Sequence, residues 1–350
     1  MPKIFNRNFN KLPKPPRLSK IPKPSTWIII LLIFIALGII VSSFLRIITP
    51  QQPVPVIPKS EISTTNSERG ATQFNNIVFE GEFSEITQPL NIYQATINNI
   101  KSTDLMNIAI KTMMEKYYLQ EVYSENGLVI YANKDYDLSI DYNINELNFS
   151  NRSSGEPPVL NSNSALQSAL DFVNFLSPDS ELHPINHQIK YFAGNLHLKP
   201  ASKIDANIIE IPFSYFFDQL PLYLNHETDA PVTIMVDGTN QIQKLVFKAV
   251  ILNSQVLASA PPITIANALI NVNEHKIGSL IRVIENSPTP LSLDVVQQGT
   301  LTEAALEYRF DAELKLIYPF YRFEGTFVDN NGQAFQGTLI TPATTVDVSN

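Results

Sequence analysis

A run of 19 residues without a charge, WIIILLIFIALGIIVSSFL from Trp27 to Leu45, constrains this chain more than any other stretch. As a helix at ~1.5 Å per residue it measures about 28 Å, close to the roughly 30 Å hydrocarbon thickness of a bilayer. The residues before it hold Lys3, Arg7, Lys11, Lys14, Arg17, Lys20 and Lys23 and no acid. The positive-inside rule then sets the N-terminus in the cytoplasm and everything beyond the span outside. A cleavable signal peptide shares the order of basic then apolar residues, but its apolar core usually runs only ~7–15 residues. No small-x-small pair offers a cut after this run, and no cysteine exists to carry a lipid. The expectation is an uncleaved signal anchor, single-pass over 27–48, with a plasma-membrane localisation and an extracytoplasmic C-terminal region. Residues 1–26 read as a disordered basic cytoplasmic tail and 49–73 as a Pro/Ser/Thr-rich stalk.

Charge divides the chain in the same place. Of 25 Lys+Arg, eight precede residue 50, where no acid occurs; the rest sets 17 cations against 33 acids, a net −16. A region so acidic does not seek nucleic acid or anionic head groups electrostatically, and its charged partners should be cationic or metal-bearing. With no cysteine it forms no disulfide, so a hydrophobic core must hold it together.

From Phe74 onward, period-2 and period-3.6 patterns alternate. A helix is expected from about Thr103 to Leu119, capped by Ser102, Thr103 or Asp104, with Met106, Ile110, Met113, Met114 and Tyr117 on one face as core. A second helix is expected in SALQSALDFVNFL and a third near Ile263 to Asn271. Asn126-Gly127, Asp237-Gly238-Thr239-Asn240 and Asp329-Asn330-Asn331-Gly332 are hairpin turn signals. In IIEIPFSYFF, aromatics alternate on both faces, as in a strand covered on both sides. Helix followed by strands recurs three times. The expected fold class is thus α+β: a single N-terminal transmembrane helix followed by repeated helix-plus-antiparallel-sheet modules over 74–150, 160–255 and 260–345.

Catalytic signatures are absent from the sequence. There is no cysteine nucleophile, G-x-S-x-G, S-x-x-K, H-E-x-x-H or Gly-rich phosphate loop. His183, His187 and His197 are close in sequence, and imidazoles at i, i+4 suit a metal on a helix face. Pro184 disfavours helix at His183, which leaves these histidines as surface-loop residues. No catalytic, cofactor-binding or metal residue is assigned, no cofactor is expected, and the chain is read as not an enzyme.

The segment from Ala206 to Ala249, with IIEIPFSYFFDQLPLYLN and the strand-DG-strand hairpin PVTIMVDGTNQIQKLVFKA, resembles extracytoplasmic regulatory proteins of the YycH/YycI type, built of PepSY-like modules. ALEYRFDAELKLIYPFYRFEGTF, from Ala305 to Phe327, is similar to that family's closing strand pair. The resemblance spans about residues 160–345 and rests on pattern. It implies a membrane-anchored regulator that modulates a neighbouring membrane protein such as a sensor kinase. The alternative is a structural or assembly component of a cell-envelope apparatus, and a cell-envelope hydrolase is a third reading. Another membrane or envelope protein is the expected partner.

Overall fold

The computed structural model describes residues 57–58, 72–84, 86–152, 157–177, 181–194, 198–224, 229–284 and 291–347. Strand dominates them, and β-branched and aromatic residues fill the longest ones, Val295–Asp311 and Leu316–Asp329. The first sheet is antiparallel throughout. Its order runs Lys199–Pro200, Lys190–Ala193, Ile208–Ser214, Val232–Asp237, Ile242–Lys248, Glu146–Asn151, Tyr136–Asp141, Leu128–Ala132 and Gln120–Glu125. The second sheet is built on the long pair. Leu220–Leu224 lies beside the first long strand, Ala334–Pro342 beside the second, and Ser279–Ile284 at the far edge. Leu90–Ile97 pairs with Leu252–Ala260 and touches the start of Leu316–Asp329.

Three α-helices occur among the described residues. Asn99–Tyr117 is capped by the Asn98 side chain, which accepts from the Lys101 N–H, and it stops at Tyr118 in the left-handed region at φ 52°. It starts earlier than the apolar period suggests because Asn98, not Ser102, is the cap. Ser102 is instead buried, and its Oγ accepts from the Ile251 N–H at 2.9 Å. Met106, Ile110 and Met113 are buried, and Met114 and Tyr117 pack against the same cluster. Ser162–Leu176, capped by Asn161, joins them on that face of the first sheet, over Ile209, Ile211, Phe213, Ile234 and Leu245. Ile265–Asn273 packs Ala268 and Val272 onto the second sheet.

This architecture corrects the expected fold class. Among the described residues the protein is mostly β, with two large sheets and three helices, and it is not a series of helix-plus-sheet modules. Helices form near the expected places, but strands do not stay with them. Glu146–Asn151 hydrogen-bonds to Ile242–Lys248, and Leu90–Ile97 to Leu252–Ala260, so each sheet draws on distant segments. The described residues fall in one compact unit. Local periodicity reports which face of a strand is buried, whereas the choice of neighbouring strand is made by tertiary packing.

The membrane assignment is corrected as well. Among the described residues no helix is long and apolar enough to cross a membrane, so the single-pass anchor and the plasma-membrane localisation are without structural support. Trp27–Leu45, and the tail before it, lie outside the described residues.

Candidate functional site

One run of chain passes from sheet to sheet and fixes where they diverge. Ile208–Ser214 ends in the first sheet, Tyr215 turns the corner, and Phe216–Phe217 hairpins onto Leu220–Leu224 in the second. Asp218 and Gln219 at that tight turn have φ 46° and 68°. The Leu222 N–H donates to the Tyr215 carbonyl at 2.9 Å, and Ser214 Oγ donates to the Leu222 carbonyl, which ties the corner shut. Burial raises the Tyr215 phenol to about 12.

Because period-2 alternation gives each strand two faces, the residues of Ile208–Ser214 turned away from the helices are Ile208, Glu210, Pro212 and Ser214. Opposite them the second sheet presents a row of charges at alternate positions: Glu303, Glu307 and Arg309 on one long strand, with Arg322 and Glu324 on the next. Ala305 faces Arg322, and Glu303 faces Glu324, in the register of that pair.

The inner end of this row is buried. Glu307 Oε1 accepts from Arg309 Nε at 2.7 Å, and both side chains are 2% exposed. Arg322 Nη1 lies 3.6 Å from Glu307 Oε2. Tyr223 caps the cluster, with the guanidinium carbons of Arg309 and Arg322 at 5.2 and 5.6 Å from its ring centroid. Its hydroxyl donates to Gln188 Oε1 at 2.6 Å, joining the two sheets. Burial, and then Glu307, raise the Tyr223 pKa. Burial pulls the Arg322 pKa down, but Glu307 and Glu324 outweigh it and the net shift is upward. Two guanidinium groups flank the buried Glu307 and Arg322 is shared with Glu324, so the charges of this cluster balance.

The outer end opens into a cleft of about 530 Å³ between the sheets. Residues 187–190, Glu210, Pro212 and Thr233 form one wall, and residues 302–305, Arg282, Arg322 and Glu324 the other. Glu324 is committed: Oε1 accepts from Arg322 Nε at 3.0 Å and Oε2 from Thr338 Oγ1 at 2.7 Å. Lys190 is committed to its cross-strand neighbour Glu210 at 2.9 Å. Glu82, Asp229, Glu303 and Arg282 also line the cleft and make no ion pair among the described residues. Three uncommitted carboxylates against one guanidinium give the opening an acidic rim.

Of the three histidines considered from sequence, His187 stands on this rim, in the 3-10 turn Asn186–Gln188. Its pKa is lowered by desolvation and by Arg322, against the opposing pull of Glu307 and Glu303. His183 begins an extended pair with Pro184 and rests edge-on against Phe216, with ring centroids 5.9 Å apart. His197 lies outside the described residues. No group of three or more His, Asp or Glu side chains among the described residues is placed to hold a metal ion. The charge row was missed in the sequence reading. Its signal is present in TEAALEYRFDAE, where Glu303, Glu307, Arg309 and Asp311 occupy odd positions in an otherwise apolar strand.

The arrangement can hold a ligand by charge and shape. Glu210 is paired with Lys190, and Glu324 with Arg322 and Thr338, while Glu303 faces Glu324 across the strand pair; among the described residues no hydrogen bond joins a serine or threonine there to a histidine. Comparison with protein families, curated proteins and solved structures found no match to this chain.

Proposed function

We propose that this protein works by binding rather than by catalysis, as a regulatory module whose protein partner docks in the cleft between the sheets. The observation that carries the reading is the acidic rim, with Glu82, Asp229 and Glu303 uncommitted beside a cleft large enough to take several residues of a partner. The buried ion cluster supports it. Desolvating two arginines and a glutamate costs several kcal/mol per ion before their attraction is counted, so apolar residues would serve stability as well. What the charges add is a fixed floor geometry. The resemblance to regulatory proteins of the YycH/YycI type points the same way.

The test is a photo-crosslinking amino acid placed in the full-length protein in its native cells. One version sits at Thr302 in the cleft and another at Ile100, exposed on the first helix. The reading expects a discrete adduct from position 302 that disappears when Glu303→Lys is added, and none from position 100. Equal adducts from both positions, or adducts indifferent to Glu303→Lys, would overturn it.

A further inference from the structure

The cleft meets the strand Val295–Asp311 in an unusual way. A cleft lying over one face of a strand touches alternate residues, yet this one is lined by Thr302, Glu303, Ala304 and Ala305 in succession. It therefore meets the strand along its hydrogen-bonding edge. The pairing register shows why that edge is open. One side of the strand is paired with Leu316–Asp329 along its length, apart from irregularities that skip Gln297 and Thr302. The other side is taken in three pieces: Gln73–Phe74 runs parallel to residues 295–296, Ile77–Phe79 to residues 299–301, and Leu220–Leu224 to residues 308–310. The Gly299 N–H donates to the Asn76 carbonyl and the Glu80 N–H to the Leu301 carbonyl, which closes the second piece. Among the described residues, 302–307 have no strand on this second side. Thr302 and Glu303 are exposed and Ala304 and Ala305 half-exposed.

We infer that this gap receives an extended peptide segment bearing a lysine or arginine, which adds as a short strand between the two flanking ones. The inference rests on the proposed binding role and specifies its mode. Two observations select the occupant. An open edge offers N–H and C=O groups that only another extended backbone satisfies in series. The uncommitted charges at the rim are carboxylates, Glu303 on the edge itself and Glu82 and Asp229 nearby, so a basic side chain is complementary. Leu306 and Glu307 are buried, so the accessible part of the edge is residues 302–305, room for about four extended residues at ~3.3 Å each.

The probes are three synthetic heptapeptides titrated into the full chain by calorimetry: alternating Val and Lys, alternating Val and Glu, and the Val/Lys peptide with every second backbone amide N-methylated, in both phases. The Val/Lys peptide should bind and the Val/Glu peptide should not. One phase of N-methylation should weaken binding about tenfold and the other leave it unchanged, because only alternate amides face the edge. Glu303→Lys should weaken the Val/Lys peptide and should not alter the melting temperature by more than a surface change does. Equal loss, or none, in both N-methyl phases would overturn strand addition while leaving the cleft as a binding site. Failure of every peptide, with the Thr302 crosslink intact, would likewise overturn the strand mode alone. Loss of that crosslink overturns the binding reading itself.

Discussion

Carboxylates in this protein have two occupations, and each fixes what its removal does. At three strand ends an aspartate folds its own turn. Asp237 Oδ1 accepts from the N–H groups of Thr239 and Gln241, Asp311 Oδ1 from those of Glu313 and Leu314, and Asp329 Oδ1 from those of Asn331 and Gln333. Asp329 Oδ2 takes a further N–H, from Ser292, at 2.8 Å, and that bond leads in holding its pKa below the ordinary carboxylate value. A depressed folded-state pKa means stability present above the unfolded value, ~3.9, and lost as pH falls through the lower folded value. Asp329→Asn keeps one acceptor but turns a donor toward Ser292. It should flatten the acid limb of the stability curve, read by urea midpoints between pH 5 and the lowest pH at which the protein stays soluble. Glu307 has the other occupation. Glu307→Gln removes the buried carboxylate that Arg309 and Arg322 share, while Arg322 keeps Glu324, and should cost about 3–5 kcal/mol in urea unfolding; a cost under 1 kcal/mol would show that the cluster is solvated. Next to it, Arg322→Gln removes a cation that lowers His187, so the His187 midpoint followed by NMR should rise toward ~6.5. No movement would mean that desolvation alone sets it. These roles were only partly legible in the sequence. Asp329 and Asp237 were readable because a turn is chemistry within four residues. Glu307, Arg309 and Arg322 were not, because what buries them is Tyr223 and Gln188, more than eighty residues away.

At the scale of elements, the first helix and the cleft edge each depend on one small or flexible residue. Met113 is wholly buried between Asn99–Tyr117 and the first sheet. Its thioether fills a space no partner can close, so Met113→Ala should cost about 2–5 kcal/mol. Urea unfolding checks it. The methionine stripe was correctly read as core from its spacing, since an amphipathic face needs no knowledge of what lies against it. Gly81 is the corresponding point at the cleft. A Cβ there would stand 2.1 Å from the Thr302 carbonyl oxygen, a backbone atom that cannot step aside. Gly81→Ala should therefore push the segment 80–83 off the edge strand at a cost of about 1–3 kcal/mol. It should also widen the gap at residues 302–307, so that amides at 299–301 lose exchange protection before those at 308–310 do.

For the whole molecule, the decisive feature is that two sheets share a corner near Tyr215 and separate toward Glu303. Among the described residues the placement of the three helices could be read from sequence, but the sheets could not. A strand's alternation specifies its faces, while its neighbours are chosen from every other strand with a matching face. That is why three modules in sequence become two sheets in space. The cleft follows from the separation, and so does the open edge on which the binding account depends. Hydrogen–deuterium exchange of the full chain, resolved to single amides across residues 299–310, addresses that edge directly. The account predicts fast exchange at alternate positions between 303 and 306 with slow exchange on either side, and protection of those fast amides when the alternating Val and Lys heptapeptide is added. Amides at 303–306 already as protected as their flanks, or unmoved by the peptide at saturation, would contradict it.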